Sequence, residues 1–238
     1  MTFKTKGIIL RRTNLGEADR ILTILTEKYG LIRAVAKGVR KTLSHLAGHL
    51  EPFCVADFLI AEGRNLDIIS GADVKKCHLS LRSNLDSTQT AYYLAEIIDR
   101  MLPEREKHPE IFELLDETLE HLNSAPGVLL ISYFELNFLA STGFYPELDK
   151  CVRCGAKLNQ KNHFDFEAGG IVCEKCDNGR PVSNDAIKAL RLFLKHRLST
   201  IQKIKTNKKL TKEISDITAD YLRHINQKEF KSRKFLVQ

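Results

Sequence analysis

Two CxxC pairs, Cys151-Val152-Arg153-Cys154 and Cys173-Glu174-Lys175-Cys176, stand 18 residues apart and constrain the fold of this chain more than any other feature. A CxxC turn puts two thiols on one side of a tight bend. Two such turns facing each other complete a tetrahedron, so the spacing matches a zinc ribbon. Gly155 and Asp177-Asn178-Gly179 supply turn residues beside the pairs. Disulfides or a dithiol redox motif are the competing readings. A cytosolic chain disfavours the first, and duplication of the motif disfavours the second. Four thiolate ligands leave no coordination position for water, so the expected ion, one Zn2+ held by Cys151, Cys154, Cys173 and Cys176, is structural rather than catalytic. His163, between the pairs, is a candidate substitute ligand, with a surface-loop histidine as the simpler reading. Cys54 and Cys77 lie outside the pattern and read as ordinary reduced thiols, partly buried.

Upstream of the cysteines the hydrophobic period changes once. Residues 7–12, 20–26, 31–37, 52–60 and 66–70 are short β-type runs separated by turn residues, with no helical stretch between them. Five such strands fit an OB-fold barrel, although periodicity alone also allows an SH3-like barrel. From residue 86 the period becomes helical. Asp86–Met101 and Ile111–Leu122 each show an apolar stripe, and a third helix, 127–141, is started by Ser124 and Pro126. That third helix is apolar on most sides, which places it at the centre of a bundle. Ser183 or Asn184 caps a further helix to Leu198, Asn207-Lys208-Lys209 reads as an exposed turn, and a last helix runs from Leu210 to Asn226. The expected architecture is a multidomain α+β chain. An OB-fold DNA-binding domain occupies 1–80, and a helical domain at 81–238 holds a four-cysteine zinc ribbon inserted at 148–180.

Charge is partitioned along the same divisions. Residues 1–80 hold 13 Lys/Arg against 8 Asp/Glu, residues 81–150 hold 5 against 13, and residues 151–238 hold 19 against 9. Two basic segments flanking an acidic one suit a polyanionic partner, because each phosphate paired with a cation releases condensed counterions. The sharpest basic feature is Lys37-Gly38-Val39-Arg40-Lys41, where the glycine lets the chain turn with cations on either side. Arg11, Arg12, Arg20 and Arg33 lie on neighbouring expected strands. Aromatics are scarce in this segment (Phe3, Tyr29, Phe53, Phe58), so backbone electrostatics should outweigh base stacking there. A second basic surface is available from Arg191 and Lys195, one helical turn apart, with Arg197, Lys203, Lys205, Lys208, Lys209 and Lys212. It reads as a DNA contact, an acidic-peptide site or plain solvated surface.

No phosphate-binding GxxxxGK[ST] sequence is present, which argues against ATP hydrolysis. The carboxylate pairs Asp165/Glu167 and Asp216/Asp220 read as solvated surface rather than as a nuclease metal site. No apolar run approaches the ~18 residues of a membrane span, and no signal-peptide pattern follows Met1. The expectation is a soluble, cytoplasmic protein, not an enzyme, with no membrane partner. An RNA-binding or translation-associated OB/zinc-ribbon protein fits the composition equally well.

The motifs themselves resemble a known family. Gly7-Ile8-Ile9-Leu10 through Gly16-Glu17-Ala18-Asp19-Arg20, Tyr29-Gly30-Leu31 leading to Ala36–Lys41, and Thr142-Gly143-Phe144-Tyr145-Pro146 leading into Cys151-Val152-Arg153-Cys154-Gly155 are similar to the RecO family. So are the closing Tyr221-Leu222-Arg223-His224 and Lys231–Leu236. The resemblance covers nearly the whole chain. It implies a bacterial DNA recombination and repair mediator of the RecF pathway, cytoplasmic and nucleoid-associated. Such a mediator binds single- and double-stranded DNA, anneals complementary strands and works with RecR. It also engages the C-terminal tail of single-stranded-DNA-binding protein (SSB) so that RecA can load. DNA contact carries over to Lys37, Arg40 and Lys41, which match the family's basic loop, and to Arg11, Arg12 and Arg20. The SSB tail is expected on the helical domain.

Overall fold

A computed structural model describes residues 1–41, 50–78, 81, 83–122, 127–176, 179–201, 204 and 206–236. Ser124, Pro126, Asp177, Asn178, Lys203 and Lys205 lie outside these described residues. Two compact units emerge, one of residues 1–125 with 232–237 and one of residues 126–231.

The first unit is built on five strands: β1 (Thr2–Leu15), β2 (Asp19–Thr26), β3 (Gly30–Ala36), β4 (Cys54–Ala61) and β5 (Asp67–Cys77). They close into a barrel in the order β1-β2-β3-β5-β4, with β4 returning to β1. All neighbours are antiparallel except β3 and β5, which pair in parallel at Ala34 and Val35. This is the five-stranded OB arrangement. The register aligns Ile9 with Ile24 and Ile24 with Ile32, and these side chains fill the barrel with Leu22, Phe58, Ile60 and Ile69. Strand alternation sends Ile8 and Leu25 to the other face, yet both are fully buried. Two helices, α1 (Leu85–Met101) against β1 and α2 (Pro109–Leu122) against β2, pack on the barrel. A strand run that is apolar on both faces needs such a cover, which is why the compact unit runs past residue 80. The C-terminal turn at Ser232–Phe235 docks on α1 as well: the Ser232 N–H donates to Glu96 at 2.8 Å and Arg233 donates to the Tyr93 hydroxyl at 3.0 Å.

The reading of Cys54 and Cys77 as reduced thiols is corrected. They face each other across β4 and β5, with Cα atoms 4.1 Å apart, and form a disulfide. Strand β5 extends to Cys77 instead of ending near residue 70. That extension brings two cysteines separated by 23 residues into register.

The second unit packs α3 (Val128–Ser141) against α4 (Asn184–Lys195) and α6 (Lys208–Asn226), with the short α5 (Leu198–Ile201) beside α4. Helix α3 has no polar face, and Leu130, Phe134, Leu136, Phe138 and Leu139 are buried. Its one buried acid, Glu135, accepts from the Thr218 hydroxyl on α6 at 2.5 Å. Asn207 caps α6 by accepting from the Leu210 N–H at 2.8 Å, so Lys208 and Lys209 open the helix rather than form a free turn. Between α3 and α4 lies a small antiparallel sheet, β7-β6-β8, formed by β6 (Asn162–Asp165), β7 (Gly170–Cys173) and β8 (Arg180–Val182). Among the described residues no helix is long and apolar enough to cross a membrane.

Candidate nucleic-acid interface and metal centre

The second unit brings Cys151, Cys154, Cys173 and Cys176 together, with the four sulfurs all within 4.8 Å of one another. Local backbone bonding explains the geometry. The Cys151 N–H donates to the Ala156 carbonyl at 2.9 Å, and the Gly155 N–H donates back to the Cys151 carbonyl at 2.8 Å. Gly155 sits at φ 73°, a left-handed turn that favours glycine. The Val152 N–H donates to the Ile171 carbonyl at 2.8 Å, tying the first CxxC turn to β7, whose last residue is Cys173. Cys151 and Cys173 are buried and Cys154 is exposed. His163 lies on β6, paired with Val172 and Pro181, and is not one of the group.

The thiols perturb one another. Burial pushes Cys151 up, but hydrogen bonds from the backbone N–H groups of Cys173, Cys154 and Arg153 outweigh it and bring the thiol down to about 6. Cys176 moves the other way, up to about 12, through its hydrogen bond with Cys154, burial and the other thiols. Four thiols gathered in one turn-and-strand cluster offer the ligand set of a structural metal site, which binds as thiolate.

Sequence reading missed the support of this cluster. Asp165 is buried at 2% exposure, not solvated. It accepts from Arg153 Nε at 2.8 Å and Nη2 at 2.6 Å. Its other oxygen accepts from the Glu167 and Ala168 N–H groups, each at 3.1 Å. Burial opposes the charge, but the Ala168 N–H and the Arg153 guanidinium prevail, and the carboxyl lies below its ordinary value. Because Arg153 stands between Cys151 and Cys154, Asp165 fixes the first CxxC turn. Asp216 and Asp220 are likewise not free surface: they hold Arg180 of β8 at 2.9 and 2.5 Å, fastening the small sheet to α6.

In the first unit the candidate cations divide into two groups. Lys37, Arg40 and Lys41 sit at the tip where β3 ends, beside the β1–β2 turn. The Arg40 N–H donates to the Ala18 carbonyl at 2.9 Å, and its guanidinium donates to the Gly16 carbonyl at 2.8 Å. The Gly38 N–H donates to Asp19 at 2.7 Å, with Gly38 at φ 65°. Among the described residues no carboxylate forms an ion pair with these three cations, so their charge faces solvent. The arginines on the strands are different. Arg12 pairs with Glu51, and Arg20 lies 3.9 Å from the same carboxylate. Arg11 approaches Asp99 at 3.8 Å; Arg33 pairs with Asp99 at 2.8 Å and also with Glu104. The partners Asp99 and Glu104 come from α1 and the segment after it, a placement that residue spacing does not announce.

In the second unit Arg191 is also committed. Its guanidinium donates to the Leu148 carbonyl at 2.9 and 2.5 Å and pairs with Asp149 at 2.9 Å. Lys195, on the same helix, lines a cavity of about 250 Å³ with Tyr145, Pro146, Glu147, Leu148, Asp149 and Leu194, so cations and carboxylates share its walls.

Residues 1–78 match the family described as Recombination protein O N terminal, and residues 82–234 match Recombination protein O C terminal. The chain belongs to the RecO family. It is 40% identical over 239 residues to "DNA repair protein RecO" of Dehalococcoides mccartyi (strain CBDB1), covering 98% of this chain and 94% of that one. Proteins of the same description from Thermoanaerobacter sp. (strain X514) and Bacillus pumilus (strain SAFR-032) are each 32% identical, covering 98% and 100% of this chain and 96% and 94% of theirs. RecO is a DNA repair and recombination family.

Proposed function

We propose that this protein is a non-enzymatic recombination mediator. It binds single- and double-stranded DNA, anneals complementary strands and, with RecR, helps RecA load on SSB-coated single strands in the bacterial cytoplasm. The observation that carries this reading is the end-to-end family match combined with the solvent-facing cations Lys37, Arg40 and Lys41 on the OB barrel. Cations at a barrel tip contact phosphates without reading sequence, so binding is salt-dependent and sequence-tolerant. Arg11, Arg12 and Arg20 contribute after an incoming phosphate displaces Asp99 or Glu51.

The metal is assigned as Zn2+. A tetrahedral ion with Zn–S bonds of about 2.3 Å spaces its sulfurs about 3.8 Å apart, and Cys154 and Cys173 already stand 3.7 Å apart. With four thiolate ligands and no open position, the ion when bound supplies folding energy and no reaction chemistry. Annealing then requires only that two strands have their phosphate repulsion screened and their local concentration raised, and base pairing provides the free energy. The acidic SSB tail is assigned to the second unit, with Lys195 meeting its carboxylates and Asp149 held back by its ion pair with Arg191.

The test is annealing of complementary strands coated with SSB, with and without this protein and without nucleotide. Accelerated duplex formation is expected; no acceleration would refute mediation. Comparing the affinity for single-stranded DNA and RNA of one sequence separates this reading from an RNA-binding role.

A further inference from the structure

Beside the strand arginines the first unit has a small cavity of about 220 Å³, lined by Arg12, Glu51, Pro52, Phe53, Thr88 and Tyr92. This is below the roughly 300 Å³ at which pockets for drug-sized ligands begin, and is nearer the scale of one aromatic heterocycle. Its lining combines two aromatic rings, Phe53 and Tyr92, with the Arg12 guanidinium and the Glu51 carboxylate.

Tyr92 supplies the exposed ring. It stands on α1 with 43% of its surface open, whereas the next residue, Tyr93, is completely buried. Phe53 backs it, with ring centroids 5.0 Å apart and planes at 70°. The backbone at Phe53 has φ 65°, a left-handed conformation that bulky residues rarely adopt. Neighbours hold it there. The Phe53 N–H donates to the Ile9 carbonyl at 2.7 Å, the His78 N–H donates to the Phe53 carbonyl at 3.4 Å, and the adjacent Cys54 is tied to Cys77. The surrounding structure thus holds an unfavourable backbone angle that turns the Phe53 ring toward Tyr92. Arg12, also in the lining, is held by Glu51, with Arg20 on the paired strand 3.9 Å from the same carboxylate.

We propose that this cavity receives one unstacked base of a single strand, with Tyr92 as the stacking face and Arg12 as the cation for the adjoining phosphate. The inference rests on the DNA-binding reading above and adds to it a base-contacting site, where composition pointed to backbone electrostatics as the dominant contribution. A nucleotide suits the cavity because a planar base and its phosphate carry the two chemistries the walls offer. Glu51 opposes the phosphate and keeps the site weak until it is displaced from Arg12.

The chain has no tryptophan, so Tyr92→Trp places a single indole at the site. Its emission should be quenched by a short oligothymidylate and far less by an abasic oligomer of the same length. Tyr92→Ala should weaken single-strand affinity about tenfold, within the range for loss of one base–aromatic stack, while leaving duplex affinity unchanged. Tyr92→Phe should restore single-strand affinity. Equal quenching by the two oligomers, or Tyr92→Ala binding single strands like the parent, overturns the proposal and leaves DNA binding standing. Quenching by aromatic peptides but not by bases would reassign the cavity to a protein partner and overturn it too. A parent protein that binds no strand removes both readings at once.

Discussion

A single carboxylate shows how much of a site can hide from sequence. Asp165 reads as surface because nothing in its neighbours marks it as buried, yet it is 2% exposed and holds two backbone N–H groups and Arg153. Asp165→Ala should destabilise the second unit by about 1–3 kcal/mol, because buried donors lose their acceptor; a denaturant titration followed by circular dichroism checks this. The pH dependence has a definite sign. The folded carboxyl lies below its ordinary value, so its contribution is fully present above the unfolded carboxyl's value of about 3.9. It is lost as pH falls below that value toward the folded one. Stability of the variant should therefore be less sensitive to acid than that of the parent. The cysteines, by contrast, were legible, because two CxxC pairs impose their own local turns. Cys173→Ser should remove bound metal and loosen the helices around it. Elemental analysis of protein purified without chelator reads the first effect, and a parent protein free of zinc would exclude the assignment.

At the scale of elements, the five barrel strands could be located because strongly β-branched runs alternate with turn residues. The far half of β5, Gly71–Cys77, was missed because only Ala72, Val74 and Cys77 pack on the core there, each only partly buried, and Gly71, Asp73, Lys75 and Lys76 between them read as turn or surface. The disulfide was missed with it. The arginine pairings could not be found in the sequence at all: Arg33 meets Asp99 from 66 residues away, and only the packing of α1 on the barrel brings them together. This sorting of cations has a measurable consequence. Reversing Lys37 and Arg40 together to Glu should weaken binding to all DNA sequences alike and flatten the dependence of affinity on salt. Neutralising Glu51 as Glu51→Gln should have the opposite effect, strengthening binding by freeing Arg12 and Arg20. Filter-binding or anisotropy titrations over a range of salt concentrations read both variants, and unchanged slopes would move the interface elsewhere.

Over the whole molecule, charge and chemistry are shared unevenly between the compact units. The first holds 19 Lys/Arg against 18 Asp/Glu and the second 18 against 12, so the phosphate binding proposed for the barrel rests on local placement of cations rather than on net charge. The cysteine cluster belongs entirely to the second unit, as does the bond from Arg191 to Leu148 that fixes the wall of the Lys195 cavity. Lys37, Arg40, Lys41 and Tyr92 belong to the first. Compact units can lose order separately when their cores are separate. Stripping metal from the full chain should therefore leave oligonucleotide affinity largely intact while abolishing capture of an acidic SSB-tail peptide. It should also slow annealing on SSB-coated strands more than on bare ones. Titrating labelled oligonucleotide and labelled tail peptide into the same chelator-treated sample measures both. Lys195→Glu in the metal-loaded chain should reproduce the loss of peptide binding alone. If metal removal weakened the two ligands in parallel, the division of labour between barrel and ribbon-bearing unit would be wrong. If the peptide bound the stripped chain as well as the loaded one, the tail site would have to lie outside the region that the cysteines organise.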